Sequence, residues 1–153
     1  MHDWPRFFQQ AWAHLEPGGW IETSETQFPP RRADGEEPRN SKFLQWGEYV
    51  YEAAASAGID ARASEKFDEQ LVKQGFINVE RVNLQWPVRP WAKGEKYKQM
   101  GKLLYRNTLD AVPGIAMALF TRQLGWKKEQ VDDFCKEAIA DVQDQSNYYY
   151  YPM

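Results

Sequence analysis

Leu15-Glu16-Pro17-Gly18-Gly19-Trp20-Ile21-Glu22 is the stretch on which the reading of this chain turns. A proline followed by two glycines stops a helix arriving from upstream: proline lacks the N–H that a continuing turn needs, and glycine accepts the left-handed conformation in which helices end. Upstream, Asp3 is placed to cap a helix whose first turn contains Pro5. Phe7, Phe8, Ala11, Trp12 and Leu15 recur at the spacing of one core-facing stripe, which predicts a helix running to about Leu15. Downstream, Trp20 to Phe28 mixes aromatic and β-branched residues with polar ones and reads as a strand. Helix, sharp turn, strand is the opening order.

Working outward, Pro29, Pro30, Gly35 and Pro38 among mixed charges (Arg31-Arg32-Ala33-Asp34-Gly35-Glu36-Glu37) predict a mobile loop over 29–40. A second helix covers 41–57, capped by Asn40 or Ser41 and closed by Gly58, with Phe43, Trp46, Val50, Ala53 and Ala57 on its inner face. A short helix follows at 65–74, with Ser64 as cap and Gly75 after its end. Phe76 to Trp86 reads as a strand, with Ile77, Val79, Val82 and Leu84 among polar residues, ended by Pro87 and Pro90. A helix from Glu95 to about Ala111 presents Met100, Leu103 and Leu104. Pro113-Gly114 is expected to interrupt it, with Ile115 to Leu124 as a continuation. A last helix over 128–142 carries the stripe Val131, Phe134, Cys135, Ala138 and Val142. Tyr148 to Tyr151 begins a final strand whose rings face opposite sides in turn.

Composition narrows the function. A chain of 153 residues is expected to form one domain, spanning 1–153, and its 42% apolar and 27% charged residues are those of a folded globular protein. The net charge of −3 gives no electrostatic reason to expect a nucleic-acid partner or an anionic membrane. A lone cysteine, Cys135, excludes an intrachain disulfide, and two histidines, His2 and His14, cannot build a histidine-rich metal cluster. No apolar run is long enough to span a bilayer and no secretory signal pattern opens the chain, so a cytoplasmic location is expected. No Ser-His-Asp set, Cys-His pair, phosphate loop or metal-ligand spacing is present, which leaves hydrolase and kinase chemistry without support.

Several segments together resemble a known family. Asp3-Trp4, Leu15 to Glu22, Asp60 after Ala57-Gly58, Gly75-Phe76, Trp86-Pro87, Trp91, and Leu124-Gly125-Trp126 with Glu129 and Val131 are similar to the LaeA-like class I S-adenosylmethionine-dependent methyltransferases of fungal secondary metabolism. Leu15-x-Pro17-Gly18-Gly19 resembles the helix end that leads into that family's fifth strand, and Leu71-x-x-x-Gly75-Phe76-x-x-Val79 resembles the junction into its sixth. The resemblance covers nearly the whole chain but only the C-terminal half of the family. It implies a truncated methyltransferase-like α+β fold, mostly helical with a small sheet of two or three strands, lacking the glycine-rich loop and the acidic residue that hold the cofactor. No cofactor is therefore expected to bind. Lys127 replaces the hydroxyl residue that caps the family's last helix, and its final strand stops early at Pro152-Met153.

With the preceding strands missing, the Trp20–Phe28 strand and the Tyr148–Tyr151 strand should lie at exposed sheet edges. Unpaired edges and bare apolar faces recruit partners. A homodimer is the expected remedy; a second polypeptide, or a refolded domain around a cavity, would serve as well. The acceptor side of the parent fold implies a pocket for a hydrophobic small molecule walled by Trp46, Tyr49, Trp86, Trp91, Tyr97 and Tyr105, with Glu22 and Arg106 as the polar groups that orient or polarise a substrate. The resulting expectation is a cofactor-independent cyclase or isomerase of a natural product, of the kind that promotes pericyclic reactions by holding a reactive conformer. The alternatives are a non-catalytic subunit that completes a partner methyltransferase, and an inactive fragment.

Overall fold

The computed structural model describes residues 3–35 and 41–153. The elements run α1 (Trp4–His14), β1 (Arg31–Arg32), α2 (Lys42–Ser56), a 3-10 turn (Ala63–Lys66), α3 (Phe67–Gln74), β2 (Gln85–Pro87), α4 (Glu95–Gln123), α5 (Lys128–Gln143) and β3 (Tyr149–Pro152). The class is α+β, mostly helical, with one three-stranded antiparallel sheet ordered β1-β3-β2. The alternative cap Asn40, residues Glu36, Glu37 and Pro38 of the expected loop, and His2 lie outside the described residues.

The helix starts follow the expected caps. The Asp3 carboxylate accepts from the backbone N–H of Arg6 at 2.9 Å, with Pro5 in the first turn of α1. Ser41 Oγ accepts from the N–H of Leu44 at 3.1 Å at the start of α2. Lys127 has no capping side chain, and instead Gln130 Oε1 reaches back to the Lys127 N–H at 2.9 Å. Ser64, expected to cap the third helix, lies inside the 3-10 turn, and α3 begins after it without a side-chain cap.

α4 packs against both α2 and α5. Phe43, Trp46, Val50 and Ala53 of α2 meet Val112, Ala116 and Phe120 of α4 and Val131, Cys135, Ala138 and Val142 of α5, all buried, with Val88, Tyr149 and Tyr151 closing the core from the sheet. This cluster explains why Pro113 does not divide α4, contrary to the sequence expectation. The stripe Thr108, Val112, Ala116, Phe120 runs straight across the proline on one face. Burying both halves on one core outweighs a cost of about 3 kcal/mol for an interior proline. The turn is also tied down: Trp46 Nε1 donates to Val112 O at 3.1 Å and Cys135 Sγ lies 3.7 Å from the same oxygen. Leu103, expected on the apolar side, is 70% exposed. The contact position on that turn is Gly101, buried against the backbone of Arg89.

The sheet departs furthest from expectation. β3 is its central strand, not an edge: Arg31 pairs with Tyr150 on one side and Trp86 with Tyr151 on the other. Its rings do alternate, with Tyr149 and Tyr151 inward. The long strands expected at 20–28 and 76–86 shrink to extended segments, of which only Gln85–Pro87 is a strand. A strand exists by pairing its N–H and C=O groups with a neighbour. Among the described residues only the end of β3 offers one, through Gln27 N–H to Pro152 O (2.9 Å) and the reciprocal pair between Leu84 and Met153 (3.0 and 2.9 Å).

Helices and sheet are joined at one carboxylate. Asp141, near the end of α5, accepts from Ser41 Oγ (2.6 Å), the Phe43 N–H (3.0 Å), Tyr149 Oη (2.8 Å) and Asn147 Nδ2 (2.7 Å). Ser41 Oγ and Tyr149 Oη are also 2.8 Å apart. With one proton each, both hydroxyls donate to the charged acceptor, the stronger bond.

Two predictions follow from this packing. An alanine Cβ at position 101 would stand 2.3 Å from Arg89 O, whereas at the exposed Gly114 it would meet nothing within 4 Å. Gly101→Ala should therefore destabilise by about 1–3 kcal/mol, while Gly114→Ala should stabilise by up to about 1 kcal/mol; urea midpoints of the two variants test the contrast. Burial raises the hydroxyl pKa of both Tyr149 and Tyr151 above the ordinary tyrosine value, and raises the Cys135 thiol to about 11. The folded state then holds these protons more tightly than the unfolded chain. Stability should be complete below about pH 8.5, where unfolded cysteine begins to ionise, and should fall as pH rises from there. Tyr151→Phe should flatten that alkaline fall in denaturation midpoints measured between about pH 8 and about pH 11.

Candidate functional site

The residues expected to wall a pocket are divided between different parts of the molecule. Trp46 is completely buried, stacked on Phe43 at 5.6 Å with its indole N–H spent on Val112 O. Tyr49 packs edge-on against Trp126 (5.1 Å), Phe134 (5.6 Å) and Phe120 (5.8 Å), and Tyr105 lies half-buried on the same helical core. Trp86 sits half-buried in β2. Trp91 donates from Nε1 to Tyr149 O at 3.1 Å and sets its ring edge-on to Tyr148 at 5.7 Å. Tyr97 is exposed on the first turn of α4. Glu22 and Arg106 are exposed, and neither side chain makes a hydrogen bond or ion pair with a described residue. None of these eight lines any of the three cavities described below.

The structure instead gathers apolar surface around α1 and α3. Trp4, Phe7 and Phe8 of α1 form a small second core with Phe67 of α3, with Trp4 4.5 Å and Phe8 5.2 Å from the Phe67 ring. Trp12 meets Phe76 edge-on at 4.9 Å. Gly75 ends α3 at φ +114°, a conformation a side chain resists, with the Trp12 ring 3.1 Å from where a Cβ would stand. Only one side of this layer is covered. Trp20 is 79% exposed, Ile77 82%, Val82 71% and Val72 60%, and all four belong to α3 or to the extended segments beside it. Sequence periodicity placed Val72 in a helix, as found, but put Trp20, Ile77 and Val82 in strands that do not form, and it could not show that the second face of the layer stays bare.

Three openings lie along this layer. The widest, about 460 Å³, is lined by Tyr51, Asp60, Arg62, Glu65 and Lys66 with Gly58 and Ile59. Three of its four charged side chains are engaged within it: Arg62 lies over the Tyr51 ring at 4.6 Å and donates to Phe28 O at 3.1 Å, while Asp60 accepts from the Arg62 N–H at 3.0 Å and pairs with Lys66 at 3.5 Å. A second, of about 140 Å³, separates residues 23–27 from 79–84 above α3, and a third, of about 130 Å³, opens beside Trp4, Thr26 and Ala61. In the second, Arg81 is held by Ser64 O (3.2 Å), Glu65 O (2.8 Å) and the Asp68 carboxylate.

Among the described residues no helix is long and apolar enough to cross a membrane, and no cluster of His, Cys, Asp and Glu could hold a metal ion. Nor do the residues present fit S-adenosylmethionine, the cofactor of class I methyltransferases. Such a site needs a glycine-rich turn from a strand into a helix and a free carboxylate for the ribose. Here β2 reaches α4 through residues 88–94 with one glycine, Gly94, and the Asp60 carboxylate is already committed.

No family model matches the chain, and no solved structure does. Curated proteins do. The chain is 30% identical over 151 residues to the probable methyltransferase tdiE of Emericella nidulans, covering 99% of this chain and 48% of tdiE. It is 30% identical over 129 residues to the methyltransferase pytC of Aspergillus terreus, covering 84% of this chain and 40% of pytC. To the secondary metabolism regulator laeA of Gibberella zeae it is 27% identical over 141 residues, covering 91% and 45%. The chain spans about half the length of the curated relatives it matches. Along nearly all of its own length, this chain is a homologue of the LaeA-like methyltransferases of fungal secondary metabolism.

Proposed function

We propose that this protein acts in fungal secondary metabolism as a methyltransferase-derived interaction module, whose α1–α3 layer docks the cofactor-binding half of a LaeA-like methyltransferase. The observation that carries this reading is where the apolar surface lies. The helical core formed by α2, α4 and α5 buries most of its large side chains, with Tyr97 and Leu103 of α4 exposed, whereas Trp20, Val72, Ile77 and Val82 all turn outward around α3. Bare contiguous apolar surface is costly in a monomer and marks an interface. Homology over about half of each relative supports the remaining half of such a protein as the cover. A second copy of this chain is the competing cover.

A second reading, the cofactor-independent cyclase or isomerase acting on a hydrophobic natural product, draws support from Trp91 and Tyr148, whose edge-on pair leaves Tyr148 43% exposed beside the sheet. On that reading Trp91→Ala reduces turnover far more than stability, and Glu22→Gln or Arg106→Ala reduces it too. The docking reading expects Trp91→Ala to lower the melting temperature, through loss of the bond to Tyr149 O, and the other two variants to change nothing.

The direct test mixes the chain with a polypeptide comprising the part of tdiE outside the matched region. Sedimentation velocity should show a heterocomplex, and calorimetry should show S-adenosylmethionine binding to the complex but not to this chain alone. Ile77→Glu and Val82→Glu should abolish the complex while changing stability by no more than about 0.5 kcal/mol, as exposed substitutions do. No complex at high micromolar concentration would overturn the proposal. A clean homodimer dispersed by the same two variants would give the face to a second copy.

A further inference from the structure

α4 begins against its own dipole. The first turn of a helix carries partial positive charge, so anions are favoured there and cations are not. Gly94 caps α4 without a side-chain hydrogen bond, and the first turn holds Glu95 as its one acid, beside Lys96 and Lys98. Glu95 pairs with neither lysine; its carboxylate accepts from Gln99 Nε2 at 3.2 Å. Lys102 and Arg106 continue the excess. Lys98, Lys102 and Arg106 recur every four residues and so stand in one row along the helix, about 6 Å apart, which Asp110 ends. All three are exposed, and none of their side chains makes an ion pair or hydrogen bond with a described residue. By contrast, Lys128 and Lys136 of α5 hold Asp132 and Asp133 at 2.7 and 2.8 Å, and Lys42 of α2 holds Glu137 at 3.1 Å. A net charge of −3 conceals this local surplus.

The surroundings of the row indicate what would cover it. Leu103 is 70% exposed and lies on the adjoining row, between Gln99 and Asn107. Cations spaced by about 6 Å match carboxylates that repeat on every fourth residue of another helix, and a leucine beside them gives that helix an apolar contact. Other anions fit less well. Duplex nucleic acid leaves Leu103 unused, since such interfaces are polar. A bilayer is flat, whereas Tyr97 and Leu103, the exposed apolar residues of these turns, point about 120° apart around the helix and cannot both enter it. A second copy would offer the acids of α5, but Asp132, Asp133 and Glu137 already hold lysines.

From this we infer that the first turns of α4 receive an acidic amphipathic helix of a partner protein, with carboxylates on every fourth residue against Lys98, Lys102 and Arg106 and an apolar residue against Leu103. The partner's carboxylates supply the negative charge that the start of α4 lacks. This face is separate from the layer proposed for docking: α4 packs on α5, α2 and β2, and α1 packs on α3.

The probe is a labelled alanine-rich peptide of about fifteen residues, long enough to hold a helix, with glutamate on every fourth residue and leucine on the adjoining row. Fluorescence anisotropy against the full chain should show saturable binding that weakens as salt rises. A peptide of the same composition with its glutamates scattered around the helix should bind poorly. The triple variant Lys98→Gln, Lys102→Gln, Arg106→Gln should weaken the first peptide by about tenfold and should melt no lower than the parent chain, because it removes cations from the start of α4. Lys102→Glu alone should lose the peptide, and lysine in place of the peptide's central glutamate should restore it. Absent binding, equal binding of the scattered peptide, or no rescue by the charge exchange overturns the inference. Vesicles of mixed phosphatidylcholine and phosphatidylserine, or a short duplex DNA, should not bind; binding of either that the triple variant loses would give the row to that surface and overturn the helix. Displacement of the peptide by the tdiE polypeptide would place the row in the docking interface and overturn a separate partner. Failure of the tdiE polypeptide to form a complex leaves the peptide result standing by itself.

Discussion

The Asp141 carboxylate fixes where the sheet sits on the helices. It draws donors from the start of α2, from the turn after α5 and from β3, so three parts of the chain converge on two oxygen atoms. Bonds to a charged acceptor are worth about 1.5–3 kcal/mol each, and leaving the charge unpartnered costs more than losing any one of them. Tyr149 is oriented by this carboxylate, and Tyr149 O in turn receives the Trp91 indole N–H and the Val88 N–H at 3.1 and 2.9 Å. The position of β3 therefore sets the turn before α4, whose Gly101 backs onto Arg89. From a single capping arrangement, the contacts propagate through the core to the sheet and the long helix.

Much of this was legible from the chain itself. Asp3, Ser41 and Gly75 announce helix ends through chemistry that is local, and the stripes of α2 and α5 announce buried faces through period alone. Pro113 misled because its penalty is local and its compensation is not: the burial of Val112, Ala116 and Phe120 depends on α2 and α5 being alongside. Trp20–Phe28 and Phe76–Trp86 have the composition of strands, but a strand is a relation between two segments. The sequence of one segment does not reveal whether its partner is present.

The candidate site was less legible for a related reason. An aromatic residue reads the same whether it will face a ligand or a core. Trp46 became the stacking partner of Phe43, Tyr49 joined the Trp126 and Phe134 cluster, and of the expected wall only Tyr97 is exposed. Exposure is decided by which faces find cover. In this chain the most exposed large apolar side chains belong to α3 and the segments flanking it, where the family-like junctions at Leu15–Trp20 and Leu71–Val79 mark helix ends and say nothing of which face finds cover.

The sheet also has a kinetic meaning. Thr26 meets Met153 across 127 positions, and Ser41 meets Tyr149 across 108. Closing loops of that size costs entropy before any contact repays it, and topologies rich in such contacts fold slowly. α4 and α5, by contrast, are neighbours joined by a short turn and can pair early. Contact separation alone favours the helical hairpin as the early pairing and the docking of β3 as the late one. Until β3 docks, Gln27 and Leu84 lack the backbone partners that tie their segments to the sheet.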